Sequence, residues 1–176
     1  MRRLVIVFIV GLTVAAPAAA QDLPPRKPGL WELRMEFDGG RLPGQTMRQC
    51  VDAESDKLMN MNFAGSNREA CSKLEVKRDG GAIVIDSVCK FGEQTVTSHS
   101  VMTGSFDSAY AVRVTSKREG GPPLPGVAPG AETVMTIAAT WRGACAAGQR
   151  PGDVVMSNGA TMNVFDLQRA RDAAPR

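Results

Sequence analysis

Histidine is nearly missing from this chain of 176 residues: His99 is the only one. Transition-metal sites gather several His, Cys or carboxylate ligands, so a lone imidazole argues against such a centre. Ser98-His99-Ser100 invites a hydrolase reading. Neighbours on a strand point to opposite faces, however, so neither serine can engage His99 there. No G-x-S-x-G elbow is present. His99 therefore reads as an exposed strand histidine, and no catalytic residue is assigned. Aromatics make up only 5% of residues and no Lys/Arg cluster occurs, which excludes the stacking and basic surface that a nucleic-acid partner needs. Beyond residue 20 no apolar run is long enough to span a bilayer. Gly39-Gly40 and Gly120-Gly121 lack the strand-loop-helix setting of a phosphate loop.

The one long apolar run lies at the start. Arg2 and Arg3 precede an unbroken stretch from Leu4 to Val10, Pro17 breaks it, and Ala18-Ala19-Ala20 supplies small residues for a signal peptidase. Residues 1–20 thus read as a signal peptide, with Gln21 as the mature N-terminus and the periplasm as the destination. Removing Arg2 and Arg3 leaves 19 basic against 18 acidic residues, so charge names no partner.

Four cysteines follow: Cys50, Cys71, Cys89 and Cys145. An even number in an exported chain reads as two disulfides. A zinc site needs close cysteine pairs, whereas these are 21, 18 and 56 positions apart. Methionine is plentiful, with nine. Met59-Asn60-Met61 and Met47 form a weak copper(I) pattern, but thioethers more often fill gaps in a core. No metal and no cofactor are assigned.

Residues 21–29 are rich in proline and read as an extended lead-in; residues 30–176 read as a single β domain. Leu30 to Phe37 alternates, with Trp31, Leu33, Met35 and Phe37 on one face. Thr46 to Val51, Cys71 to Arg78, Ala82 to Lys90, Glu93 to Thr103, Tyr110 to Lys117 and Thr133 to Arg142 complete the strands. The last places Met135, Ile137, Ala139 and Trp141 on one face. Trp31, Leu33, Met35, Met135, Ile137 and Trp141 are the expected core, both tryptophans buried. Asp52 caps a short helix to about Asn60, with Glu54 and Asp56 in its first turns complementing the helix dipole. Asn163 to Asp172 is a weaker helix candidate. The fold class is mostly β: an antiparallel sheet of about seven to eight strands, closed or partly closed as a barrel or sandwich, with one short helix after the second strand.

Asp79-Gly80-Gly81 is the strongest hairpin signal, and it leaves two registers open. A three-residue loop sets Cys71 opposite Cys89. A two-residue Asp79-Gly80 turn pairs Leu74 with Ile85 and puts the cysteines on opposite faces. The favoured bridges are Cys71–Cys89 and Cys50–Cys145; the alternative is Cys50–Cys71 with Cys89–Cys145.

Pro28-Gly29-Leu30-Trp31-Glu32, Arg48-Gln49-Cys50-Val51, the pair Cys71 and Cys89, Trp141-x-Gly143-x-Cys145 and Pro151-Gly152-Asp153 follow in order. Together they resemble domain-of-unknown-function family 3617, small exported proteins of Gram-negative bacteria. The resemblance implies a compartment and a scaffold, and no activity.

The functional reading is a non-enzymatic binding or accessory module. Its candidate partner is a protein or a small apolar ligand, and no ligand-binding residue is assigned. The loop from Gly120 to Gly130 carries Pro122, Pro123, Pro125 and Pro129, and offers Leu124 and Val127 as apolar contacts. The runner-up is a carrier holding an apolar ligand inside a closed sheet; an uncharacterised enzyme stands third.

Overall fold

The computed structural model describes residues 23–39, 43–64, 70–122 and 126–173. The expected signal peptide, residues 1–20, lies outside the described residues, as does Leu124. The elements run β1 (Gly29–Phe37), β2 (Gln45–Val51), α1 (Ala53–Ala64), β3 (Cys71–Asp79), β4 (Ala82–Phe91), β5 (Gln94–Ser105), β6 (Ala109–Glu119), β7 (Glu132–Gly143), β8 (Asp153–Met156), β9 (Thr161–Asn163) and α2 (Val164–Ala173). Among the described residues no helix is long and apolar enough to cross a membrane.

All nine strands share one antiparallel sheet in the order β3-β4-β5-β6-β7-β1-β2-β8-β9. Strands β3 to β7 form a meander of hairpins, and β1 slots between β7 and β2. The expected closed barrel or sandwich of seven to eight strands is corrected: among the described residues the sheet has nine strands and stays open. Closure needs two edge ladders of matching length. Here one edge is the nine-residue β3, while the other is β9, only three residues long and running directly into α2. Lys73, Glu75, Lys77 and Arg78 place charge along β3, which discourages pairing with another chain. The helical content is corrected too. The helix after β2 reaches Ala64 rather than Asn60, and the weaker candidate from Asn163 to Asp172 forms a second helix, Val164–Ala173.

Alternation sorts each strand into an inner and an outer face. On the inner face one row crosses five strands, Met35–Ile137–Val112–Met102–Ile83, each residue directly opposite the next. Four of these five are almost completely buried, and Leu33, Met35, Leu74, Val76 and Met135 pack against them. Trp31 is 0% exposed and joins Val51 and Ala139 in a second cluster, with Met59 of α1 against it. Trp31 also meets Tyr110 at 5.5 Å between ring centroids, and Tyr110 stacks on Phe106 at 4.7 Å. Trp141 stands directly opposite Trp31 and packs against this second cluster, though it is only partly buried. It lies beyond the last β6 pairing, at Thr140, and the lead-in adds to its cover: Lys27 Nζ sits 3.7 Å from its ring centroid and its indole N–H donates to Pro28 O.

The lead-in has no regular structure, yet it is anchored to the domain. Leu23 packs on the main core and Arg26 is buried. Two disulfides join Cys50 to Cys145 and Cys71 to Cys89. The β3–β4 hairpin takes neither register expected at its tip. Gly80 and Gly81, at φ 52° and 85°, form a two-residue turn that pairs Asp79 with Ala82 and Val76 with Ile85. Two successive positive φ angles suit glycine. Continued evenly, that register would place Ser72 opposite Cys89. A bulge between Cys71 and Lys73 shifts it by one and brings Cys71 opposite Cys89. After Cys145 the structure forms β8 and β9, strands of four and three residues that are too short to show a period in sequence.

Candidate functional site

Below the apolar rows the inner face turns polar. Leu74, Ser87, Ser98, Ser116 and Thr133 form the next row across β3 to β7. Ser87 and Ser98 hydroxyls pair at 2.7 Å, and Ser116 and Thr133 hydroxyls at 3.0 Å. These bonds satisfy hydroxyls that would otherwise meet the core unpaired. One step further, Val96 of β5 stands opposite Arg118 of β6.

A cleft of about 250 Å³ opens there. Gln94, Arg118 and Thr133 of the sheet form one side, and Gly120 to Pro122 with Val127 to Ala131 form the other. A second cleft of about 250 Å³ adjoins it, lined by Phe37, Asp38 and Val134 and sharing Val127 and Thr133 with the first. The Pro/Gly loop therefore stands over two hollows rather than simply connecting β6 to β7. Its base is fixed by close packing. Gly120 and Gly121 have φ 75° and 72°; a Cβ on Gly120 would lie 2.3 Å from Glu93 O, and one on Gly121 would lie 3.1 Å from Gln94 Cβ. Only glycine brings the loop this close to the β4–β5 turn.

The opposite end of the inner face holds a buried ionic network. Arg26 Nε donates to Asp56 Oδ1 at 2.7 Å, and the Arg26 backbone N–H donates to Asp56 Oδ2 at 2.9 Å. The side chains are 4% and 2% exposed. Arg26 Nη1 donates to Gln49 Oε1 at 2.7 Å and Nη2 to Met59 Sδ at 3.2 Å; Asn60 Nδ2 donates to Asp56 Oδ2 at 3.2 Å. Burial pushes the nearby Tyr110 hydroxyl above its usual range, with Arg26 pulling the other way. The Met59 thioether thus already faces a guanidinium, a poor neighbour for a copper(I) ion. Among the described residues no three His, Cys, Asp or Glu side chains converge as a metal site requires.

His99 is exposed on the outer face, and its Nδ1 lies 2.7 Å from Asp86 Oδ1. The His99 contact is the main reason the Asp86 carboxyl is held below its usual range. Ser98 and Ser100 share the inner face, with Ser98 on Ser87 and Ser100 buried. Alternation keeps both serines away from the imidazole. The acidic group of α1 divides. Asp52 caps the helix, accepting from the Ser55 N–H at 2.8 Å, while the Ser55 hydroxyl accepts from the Asp52 N–H at 2.9 Å. Asp56 was expected beside the helix dipole as a solvated charge; it is instead buried against Arg26, thirty residues earlier. Arg26, Gln94 and Arg118 were not among the expected functional residues, and Gln49 stood out only within the Arg48-Gln49-Cys50-Val51 motif. For Arg118 a signal existed, because it continues the inner-face series Val112, Val114, Ser116.

No curated protein and no solved structure matches the chain. One family does, a protein family of unknown function, over residues 26–145. The match opens at the buried Arg26, closes at Cys145, and takes in both disulfides and the loop above the clefts. With well over half of its length matched, the chain belongs to the DUF3617 family.

Proposed function

We propose that this chain is an exported, non-enzymatic binding module of the periplasm, and that it takes its ligand in the paired clefts beneath the Gly120–Gly130 loop. The observation that carries the reading is the sharing of Val127 by both hollows. A proline- and glycine-rich loop, pinned at its base to a rigid sheet, is a common way to present a recognition surface. The inner face itself is filled by the row from Met35 to Ile83, which leaves the rim as the place for an occupant. Export rests on the Arg2-Arg3, apolar-run and Ala18-Ala20 pattern, and two disulfides accord with an oxidising compartment.

Native mass spectrometry of protein purified from periplasm tests the reading directly. The expected result is a chain beginning at Gln21 that carries a small molecule, with the Val127→Asp variant losing it at unchanged melting temperature. A protein still starting at Met1 would overturn export. A ligand retained by Val127→Asp would overturn the site.

A further inference from the structure

We propose that the occupant of this cleft is a small amphipathic carboxylate, anchored by Arg118. The inference rests on the cleft being a binding site and adds the chemical class of its ligand. Four observations carry it.

First, Arg118 lines the cleft without an ion pair or hydrogen bond among the described residues. Most arginines among the described residues are paired: Arg26 with Asp56, Arg34, Arg48 and Arg142 with Glu32, Arg113 with Asp38, Arg150 and Arg169 with Asp166. Arg78 shares the lack of a partner, but it stands on the edge strand β3, where bare charge opposes aggregation. Arg118 has no such duty beside a cleft. Second, Gln94 lines the same cleft from the adjacent strand, and its amide N–H can donate alongside the guanidinium.

Third, the rest of the lining is apolar or small: Pro122, Val127, Ala128 and Pro129. Fourth, Phe91 is 47% exposed in a protein with few aromatics, and it stands directly opposite Gln94 across the β4–β5 turn. Residues directly opposite in an antiparallel pair share a face. An aromatic ring therefore stands on the inner face next to the amide that lines the cleft.

A planar fork of N–H donors matches a carboxylate and gives charge-assisted hydrogen bonds. The apolar walls then fit an aliphatic body, with the Phe91 ring beside the cleft. At roughly 30 Å³ per water-sized group, each cleft holds about eight such groups, the size of a short acyl chain.

The test uses the full oxidised protein with octanoate, octan-1-ol and octylamine as probes. Binding is read from the NMR shifts of the Val127 methyls and the Arg118 side chain. The expected order is octanoate, then octan-1-ol, then octylamine, with octanoate about tenfold tighter than the alcohol, as for a hydrogen bond to a charged group. Arg118→Gln should remove that preference while octan-1-ol binding stays, and added salt should weaken octanoate alone. Equal binding of octanoate and octan-1-ol, or octanoate affinity unchanged in Arg118→Gln, would overturn the carboxylate assignment and leave the cleft standing. No shift at Val127 with any probe would overturn both.

Discussion

The two ends of the inner face carry arginines in opposite circumstances. Arg26, at the α1 end, is buried and has a partner for its charge, its backbone N–H and both terminal nitrogens. Arg118, at the loop end, faces a cleft and pairs with nothing among the described residues. A buried charge persists only when the surrounding structure satisfies it, so Arg26 reports on architecture. Arg118 is exposed, so its charge needs no protein partner and is available to something else. The contrast separates polar groups that hold the fold from those that can recognise a ligand, and substitutions should reveal it as a split between stability and binding.

The largest effect is expected at the buried end. Asp56→Ala strands the Arg26 charge and should destabilise the domain by about 3–5 kcal/mol in urea or thermal unfolding. Trp31→Ala should cost a similar amount, about 3–5 kcal/mol, because the ring is fully enclosed. Replacing both members of the pair, Arg26→Met with Asp56→Leu, should recover most of the Asp56→Ala loss. If the double variant is as unstable as Asp56→Ala, the pair does more than satisfy itself and the contrast with Arg118 weakens.

The disulfides come next. Removing either as a Cys→Ser pair should cost about 2–5 kcal/mol. Cys50 and Cys145 are 95 positions apart against 18 for Cys71 and Cys89. Chain entropy then makes the first bridge the more valuable by about 1–1.5 kcal/mol. Equal losses measured by denaturant unfolding would mean that strain or residual structure dominates the entropy.

Acid should act more gradually. Hydrogen bonds from Arg142, Ser55 and the Arg150 backbone N–H hold the carboxyls of Glu32, Asp52 and Asp153, respectively, below their usual range. A lowered pKa in the folded state means that the unfolded chain binds more protons in acid. The stabilisation is complete above the unfolded values, near pH 4, and is lost as pH falls through the folded ones. Melting temperature should hold from pH 7 to about 5 and drop below about pH 4, and Asp153→Asn should flatten that drop. Asp52→Ala, which removes only a helix cap, should cost about 1 kcal/mol. The smallest effect belongs to the loop end: Arg118→Gln should change unfolding free energy by no more than about 0.5 kcal/mol. A larger loss would show Arg118 to be a structural charge after all.

What could be read in the sequence tracks the range of the forces involved. The long strands were legible because alternation is local: β1 and β2 begin one residue from their expected starts and β7 extends one residue at each end. Strands β8 and β9 were not, since three or four residues cannot display a period. The open sheet was not, because closure depends on how two distant edges compare. Asp56 looked like one more carboxylate in a helical first turn. Its burial is decided by an arginine between two prolines whose local sequence carries no sign of it. The Pro/Gly loop was conspicuous, but that Arg118 and Gln94 converge beneath it depends on the pairing of β5 with β6.

The bulge at Ser72 bears on how faithfully this hairpin can be assembled in an oxidising compartment. A β3 strand paired evenly from Cys71–Cys89 upward, with a three-residue tip, would still bring the two sulfurs together. It would turn Lys73, Glu75 and Lys77 inward and Leu74 and Val76 outward. Oxidation of the pair is therefore blind to which face of the strand meets the core. Only the Gly80–Gly81 turn and the preference of Leu74 and Val76 for the interior select the native side. A chain weakened at either can become covalently locked with its edge strand inside out while every thiol is consumed. For this protein a full count of bridges does not certify a native molecule.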